Sequence, residues 1–277
     1  MNNILYVVGT PIGNLGDMSP RAIEVLSAVD FIAAEDTRVT IKLLNHFDIK
    51  KPLINYFEHN KHSKGKQIIE RILSGESCAI VTDAGMPCIS DPGEDLIKQC
   101  EKHGIQTIVV PGPSAVISAL AVSGLETGRF CFEGFLSVNK KSRIDHLEAL
   151  MDEKRTMIFY EAPHKLGATL IDFYKYFGDR KLSIVREITK IHEEVIRTTT
   201  KKAAELYADN SLKGEIVLVL EGKKQDESSI NALDNAVEYT KRLINGGMKP
   251  TDAAKEAAQV YKIKKNDIYK IIIADQG

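Results

Sequence analysis

Three times within the first 115 residues an apolar strand runs straight into a loop of glycine, proline and small residues: ILYVVGTPIGNLGD (4–17), CAIVTDAGMPCISDPG (78–93) and TIVVPGPSA (107–115). A strand that is apolar on both faces must be covered on both, which requires a sheet lying between helical layers. Helical patterns such as PRAIEVLSAV and EDLIKQCEKHG alternate with the strand runs ILYVVG, DFIAAE, CAIVTD and TIVVPG. That alternation predicts a parallel or largely parallel sheet. The loops at the carboxyl ends of its strands then offer bare backbone to a small ligand, and function is sought there.

Beyond Gly124 the pattern becomes FCFEGFL, TMIFYEA, KLSIVREI, EEVIRTTT and GEIVLVLEG, with one clear helix, HKLGATLIDFYKYFG. More strands per helix predicts a mixed sheet. The polar run KKQDESS (223–229) sets off a last segment with three helical patterns, INALDNAVEYTKRLINGG, PTDAAKEAAQVYK and KKNDIYKIII, in which only IYKIII also reads as a strand. Gly246 and Gly247 are expected to stop the first of these helices, and Thr251 to cap the second after Pro250. Three short helices with a tight turn resemble a helix-turn-helix unit. The expected fold is thus α/β. An N-terminal α/β domain (1–117, parallel-rich sheet) and a second α/β domain (118–224, mixed sheet) close a cleft, and a helical appendage (229–277) follows.

A chain of 277 residues with 43% hydrophobic and 27% charged residues has material for two packed cores. Its formal net charge of −1 excludes a protein that coats nucleic acid through bulk charge. A nucleic-acid partner would be met by local patches: Lys61, Lys64 and Lys66; Lys140, Lys141 and Arg143; Lys262, Lys264 and Lys265. Aromatic content of 6% with no Trp argues against extensive base stacking. No apolar run approaches the roughly 20 residues that span a bilayer, and MNNILYVVGT lacks the basic segment of a signal peptide. A cytoplasmic, non-membrane protein is expected. Cys78, Cys88, Cys100 and Cys131 show no ligand-like spacing and are expected to be free thiols.

In the first loop Gly9, Gly13 and Gly16 are spaced G-x-x-x-G-x-x-G around Pro11, not the G-x-G-x-x-G of a dinucleotide fingerprint. No P-loop string occurs, and there is no G-x-S-x-G elbow or H-E-x-x-H. His192-Glu193-Glu194 does not form a metal motif, so no metal is expected. Asp83 ends an apolar strand beside small residues, where its carboxylate can accept from a ribose or an ammonium; the commoner use of Asp83 and Asp91 is to cap turns. Pro111 and Pro113 fix φ around Gly112, and Ser114 stands where a helix N-cap is expected. Acid and base alternate in AEDTR (35–38 and the preceding Ala34) and in REITKIHEE (186–194), at the ends of strands that would open on a shared cleft.

Taken together, GTPIGNLGDMSPRA, AEDTR, TDAGMPCISDPG, VPGPSA, FEGFL, YEAPHK and REITKIHEE resemble one family, the bacterial ribosomal RNA small subunit methyltransferase I family, in that family's own order between residues 9 and 194. The resemblance implies the tetrapyrrole methylase fold with S-adenosyl-L-methionine bound between two α/β domains. It implies 2′-O-methylation of a cytidine ribose in the decoding region of 16S ribosomal RNA, a 30S-subunit context, and a homodimer. It places cofactor contacts at Ile12, at Asp83 and Met86, at Ser114 and Ala115, and at backbone near Ala162 and Glu215. In-line methyl transfer needs positioning and a destination for the hydroxyl proton, but no metal. Glu35, Asp36, Arg38, Arg186, Glu187 and Lys190 are the candidates for that chemistry and for gripping phosphate, with Asp36 or Glu187 as proton acceptor. Two other readings stand beside it: a methyltransferase of the same fold acting on a tetrapyrrole or a modified histidine, and a ligand-sensing regulator that binds nucleic acid through the tail. Against the last, the tail's cations are nearly matched by acids.

Overall fold

A computed structural model describes residues 3–208, 212–224 and 227–274. The chain divides into two compact units, Met1–Gly222 and Lys223–Gly277. The first unit holds two five-stranded sheets. Strands β1 (Ile4–Val8), β2 (Phe31–Ala34), β3 (Leu53–Asn55), β4 (Cys78–Val81) and β5 (Gln106–Val110) lie in the order β3-β2-β4-β1-β5, all parallel. Strands β6 (Phe130–Phe135), β7 (Thr156–Glu161), β8 (Lys181–Arg186), β9 (Glu194–Thr199) and β10 (Ile216–Leu220) lie in the order β6-β7-β10-β8-β9. Only β6 and β7 run parallel there. A parallel-rich sheet followed by a mixed one is therefore the observed architecture.

Helices α1 (Pro20–Ala28) and α2 (Thr37–His46) cover one face of the first sheet, and α3 (Lys61–Leu73) and α4 (Gly93–Lys102) the other. Val25, Leu26 and Leu44 pack on Tyr6, Val8, Ile32 and Ala34; Ile68, Ile69, Ile72, Leu96 and Cys100 pack on Leu5, Val7, Phe31 and Ala33. The two-residue period of a strand sends these alternating residues to opposite layers. Because β2 leads to α2 on one face and β4 to α4 on the other, the chain diverges between these neighbouring strands. Their carboxyl ends thus frame a crevice of the kind that takes ligands in open α/β sheets.

Helix α5 (Ala115–Ser123) packs on the second sheet: Val116, Ala119 and Leu120 bury against Ile158, Val185, Val217 and Val219. Ser183 donates to the carbonyl of Ser123 at 2.7 Å, joining the helix end to β8. The passage from one sheet to the other accordingly lies in residues 111–114, and a boundary after 117 would cut through α5. The opposite face is covered by α6 (Lys140–Ala149), α7 (Leu166–Phe177) and α8 (Thr200–Tyr207), whose Leu147, Phe173 and Ala203 pack on Phe159, Ile184 and Leu218.

The second unit comprises α9 (Glu227–Asn245), α10 (Pro250–Tyr261) and α11 (Lys265–Ala274), so IYKIII is helical. Their small core holds Ala236, Val237, Ala254, Ala257, Ile268 and Ile272. Lys262, at φ 53°, turns the chain from α10 toward α11. Thr251 is not the cap of α10: the helix starts at Pro250, with Lys249 at the cap position and no side-chain cap bond. Proline at the first position has no N–H to be capped. Gln225 and Asp226 of the polar run, and residues 275–277, lie outside the described residues. The four cysteines are free thiols. Among the described residues no helix is long and apolar enough to cross a membrane.

Candidate active site

The three glycine- and proline-rich loops meet at the carboxyl edge of the first sheet. Thr10 and Gly85 exchange backbone hydrogen bonds at 2.9 and 3.1 Å, and Gly9 N–H donates to Val110 O at 3.1 Å. The backbones of Gly9 and Gly112 are so close that a Cβ built on Gly9 would lie 2.7 Å from Gly112 Cα and 2.7 Å from Met86 Sδ. Gly85, at φ 88°, adopts a conformation that other residues rarely reach, with Ile12 against it. Ser114 caps α5 by accepting from Ile117 N–H, with Ala115 the first residue of the helix. Ile12, Asp83, Met86, Ser114 and Ala115 thus sit on one floor of clasped backbone.

The acidic end of this floor lies in the crevice between β2 and β4. Asp83 accepts the N–H of Asp36 at 3.1 Å, and Glu35 Oε2 accepts the hydroxyl of Thr82 at 2.6 Å. Asp36 caps α2 through Arg38 N–H at 2.8 Å and pairs with the Arg38 guanidinium, which is 87% exposed. Burial pushes the Asp83 carboxyl above its ordinary range, and the charges of Glu35 and Asp36 add to this. Asp91 is also raised by burial; it is a turn cap, accepting from Gly93 N–H at 2.8 Å.

The Arg38 side chain and N–H hold the Asp36 carboxyl down from 3.8 to about 2. Its folded-state value lies below the unfolded one, so the stabilising contribution is complete above pH ~4. It is lost as pH falls through about 2. Carbon-detected NMR titration of the Asp36 carboxyl is expected to give a midpoint near 2; a midpoint near 4 would mean the pair is not formed in solution.

The REITKIHEE segment forms the tip between β8 and β9. Lys190 Nζ donates to Glu187 Oε1 at 2.9 Å and to Glu215 Oε2 at 3.1 Å, while Arg186 pairs with Glu194 at 2.9 Å. Lys190 and Glu215 N–H together lower the Glu187 carboxyl. Burial works against the Lys190 charge, but Glu187 and Glu215 outweigh it and raise the ammonium. A Cβ on Gly13 would meet Lys190 Cγ at 2.7 Å, so the first loop also touches this tip. Glu187 and Thr189 sit at φ 52° and 67°, uncommon for non-glycine residues and most uncommon for a β-branched one.

Glu215 and Ala162 stand at the same edge of the second sheet, since Ile216 pairs with both Glu161 and Arg186. Their backbone is already engaged. Glu215 exchanges N–H and carbonyl bonds with Glu187, and Ala162 N–H donates to its neighbour Glu161 at 2.8 Å. Asp36 and Glu187, the two expected proton acceptors, are each committed to a cation that lowers the carboxyl, which suits anchoring better than accepting a proton. Sequence reasoning did not find the Thr82–Glu35 bond; a threonine one residue before Asp83 was its only trace. Among the described residues no group of three or more His, Cys, Asp or Glu is placed to hold a metal. An open cavity of ≈ 860 Å³ lined by Glu126, Arg129, Glu153 and Arg155 lies at the amino ends of β6 and β7, the far end from these loops.

This is the architecture of the tetrapyrrole methylase class: a family model described as Tetrapyrrole (Corrin/Porphyrin) Methylases matches residues 4–204. Solved structures agree on the fold. Diphthine synthase superposes with a TM-score of 0.60 at 15% identity, covering 79% of this chain and 89% of that one. Uroporphyrin-III-C-methyltransferase from Thermus thermophilus gives 0.56 at 18%, covering 79% and 94%. Among curated proteins, the ribosomal RNA small subunit methyltransferase I of Synechocystis sp. is 44% identical over 97% of this chain and 96% of its own. That of Halalkalibacterium halodurans is 45% identical over 96% and 93%, and that of Bacillus subtilis 42% over 96% and 92%. The chain belongs to the ribosomal RNA small subunit methyltransferase I family.

Proposed function

We propose that this protein transfers a methyl group from S-adenosyl-L-methionine to the 2′-hydroxyl of a cytidine ribose in the decoding region of 16S ribosomal RNA, with the 30S subunit as substrate. The observation that carries this reading is the clasped floor of three loops in a chain of that family. At Gly9, Gly85 and Gly112 the backbone is stripped of side chains, and Asp83 stands beside it. The cradle fits a cofactor with hydroxyl, ammonium and sulfonium groups: Ile12, Met86, Ser114 and Ala115 would flank it, and Asp83 would accept from it. When bound, the cofactor supplies a methyl group activated by the sulfonium charge.

The chain's own residues would then position the ribose and take its proton. Arg38, oriented by Asp36 and exposed, is placed to meet phosphate. Glu187, Lys190 and Glu215 would brace one another as a wall of the cleft, with Arg186 paired to Glu194 beside them. With Asp36 and Glu187 committed to cations, the proton acceptor is Glu35, which Thr82 holds by one oxygen. Orientation alone contributes up to about 7 to 11 kcal/mol in favourable cases. A homodimer is proposed with this activity, on the family resemblance. A cytoplasmic location follows from a ribosomal substrate.

Methyl transfer from labelled S-adenosyl-L-methionine to 30S subunits, naked 16S RNA and a tetrapyrrole precursor tests this, with the labelled nucleoside identified after digestion. A 2′-O-methylated cytidine from the 30S sample is expected. Label in the tetrapyrrole alone would overturn the substrate and keep the fold.

A further inference from the structure

Arg143 belongs to the KKSR run that the sequence groups with RNA-facing cations, and the fold gives it other work. Its side chain is only 16% exposed. Nε donates to Asp172 Oδ2 at 2.7 Å and Nη2 to Thr169 Oγ1 at 2.9 Å. Thr169, fully buried, donates its hydroxyl to Glu161 Oε2. Glu161, 5% exposed, accepts the N–H of Ala162 on its other oxygen at 2.8 Å. One continuous chain of hydrogen bonds therefore runs from α6 through α7 to the cleft end of β7.

Its polarity is fixed by chemistry. A guanidinium has only donors, so Thr169 must accept from Arg143 and turn its single proton to Glu161. A carboxylate as buried as Glu161 is costly without partners, and here both its oxygens are served. Ala162 N–H is thereby pinned while its carbonyl accepts from Lys165 at 2.9 Å, which sets the course of the turn that begins YEAPHK.

We propose that Arg143 is a positioning residue for the cofactor side of the cleft, acting through Thr169 and Glu161 to fix the Ala162 main chain, and that it is not an RNA contact. This rests on the reading that S-adenosyl-L-methionine lies against Ala162. The pinned N–H leaves the second lone pair of the Ala162 carbonyl as the polar group available to the cofactor.

The test compares Arg143→Ala, Thr169→Val and Thr169→Ser in the full chain. Cofactor affinity is measured by calorimetry, KM for 30S subunits with its salt dependence by methyl transfer, and folding by thermal unfolding. Arg143→Ala and Thr169→Val are each expected to weaken S-adenosyl-L-methionine about tenfold, the effect of one lost buried hydrogen bond. KM for 30S stays unchanged. Thr169→Ser, which keeps the hydroxyl, retains the wild-type affinity, and the double variant Arg143→Ala/Thr169→Val is no worse than either single one because both cut the same chain. A raised KM for 30S with a shallower salt slope and unchanged cofactor affinity would overturn the proposal and make Arg143 a phosphate contact. Loss of cofactor and RNA binding together with no rescue by Thr169→Ser would overturn it in favour of a general packing role. Wild-type protein that binds the cofactor but methylates no RNA would sink the functional reading alone, since the affinity comparison needs no turnover.

Discussion

Replacing Gly112 by alanine is expected to abolish useful cofactor binding, with a loss of about a hundredfold in affinity, and to destabilise the fold by about 1–3 kcal/mol. The added Cβ would lie 2.8 Å from Gly9 Cα, 2.9 Å from Gly9 C and 3.0 Å from Gly9 O, and all three are backbone atoms. Neither chain segment can retreat without cost. Val8 pairs with Val110 in the parallel ladder, and Gly9 N–H donates to Val110 O immediately before the loops diverge. The strain must go into separating the first and third loops, and those loops make the floor on which Ile12, Ser114 and Ala115 stand. Gly128 provides the control, because nothing lies within 4 Å of a Cβ built there. Calorimetric titration and denaturant unfolding should show Gly128→Ala near wild type and Gly112→Ala impaired in both. Wild-type affinity in Gly112→Ala would mean that the cofactor does not rest on the clasped loops.

The glycines, prolines and Asp83 of these loops were legible in the sequence because local chemistry dictates them. A strand apolar on both faces and a loop stripped of side chains each leave a mark in consecutive residues. The strand runs TMIFYEA and GEIVLVLEG were equally legible, since each stays apolar over four or five residues. Where the sequence said less, the cause was burial that leaves too little periodic trace. β3 has only three residues. α6 buries only Leu147 along a charged helix, and α8 buries two alanines and a threonine. Side-chain pairings left no trace at all. Nothing in AEDTR shows that Asp36 spends its carboxylate on Arg38, and nothing in KKSR shows Arg143 turned inward to a threonine 26 positions on. A charged residue reads the same in sequence whether it is free or paired, and that difference decides the catalytic assignment.

Glu35→Gln is expected to lower kcat by about 10²- to 10⁴-fold, the range associated with a positioned proton acceptor, while leaving the KM for S-adenosyl-L-methionine near its wild-type value. Asp36 is held at about 2 by Arg38 and caps α2, so its proton affinity is too low for efficient acceptance from a ribose hydroxyl. Glu187 is lowered by Lys190 and by Glu215 N–H, and its oxygen Oε1 receives both bonds. Asp83 stands beside the clasped loops, where the proposed cofactor would lie, so its loss should appear in cofactor affinity before it appears in turnover. Among the described residues Glu35 is held through Thr82, by one oxygen, just after the end of β2 beside the crevice. Glutamine keeps the acceptor oxygen for Thr82 and removes the ability to take a proton, which separates positioning from proton transfer. Asp36→Asn preserves an oxygen to cap α2 and loses the ion pair. Its expected signature is therefore a raised KM for 30S subunits and a gentler salt dependence, with kcat largely kept. Single-turnover methyl transfer with both variants, at saturating cofactor, decides the matter. If Asp36→Asn shows the large fall in rate and Glu35→Gln does not, the proton leaves through Asp36, and the Arg38 pair must open during catalysis.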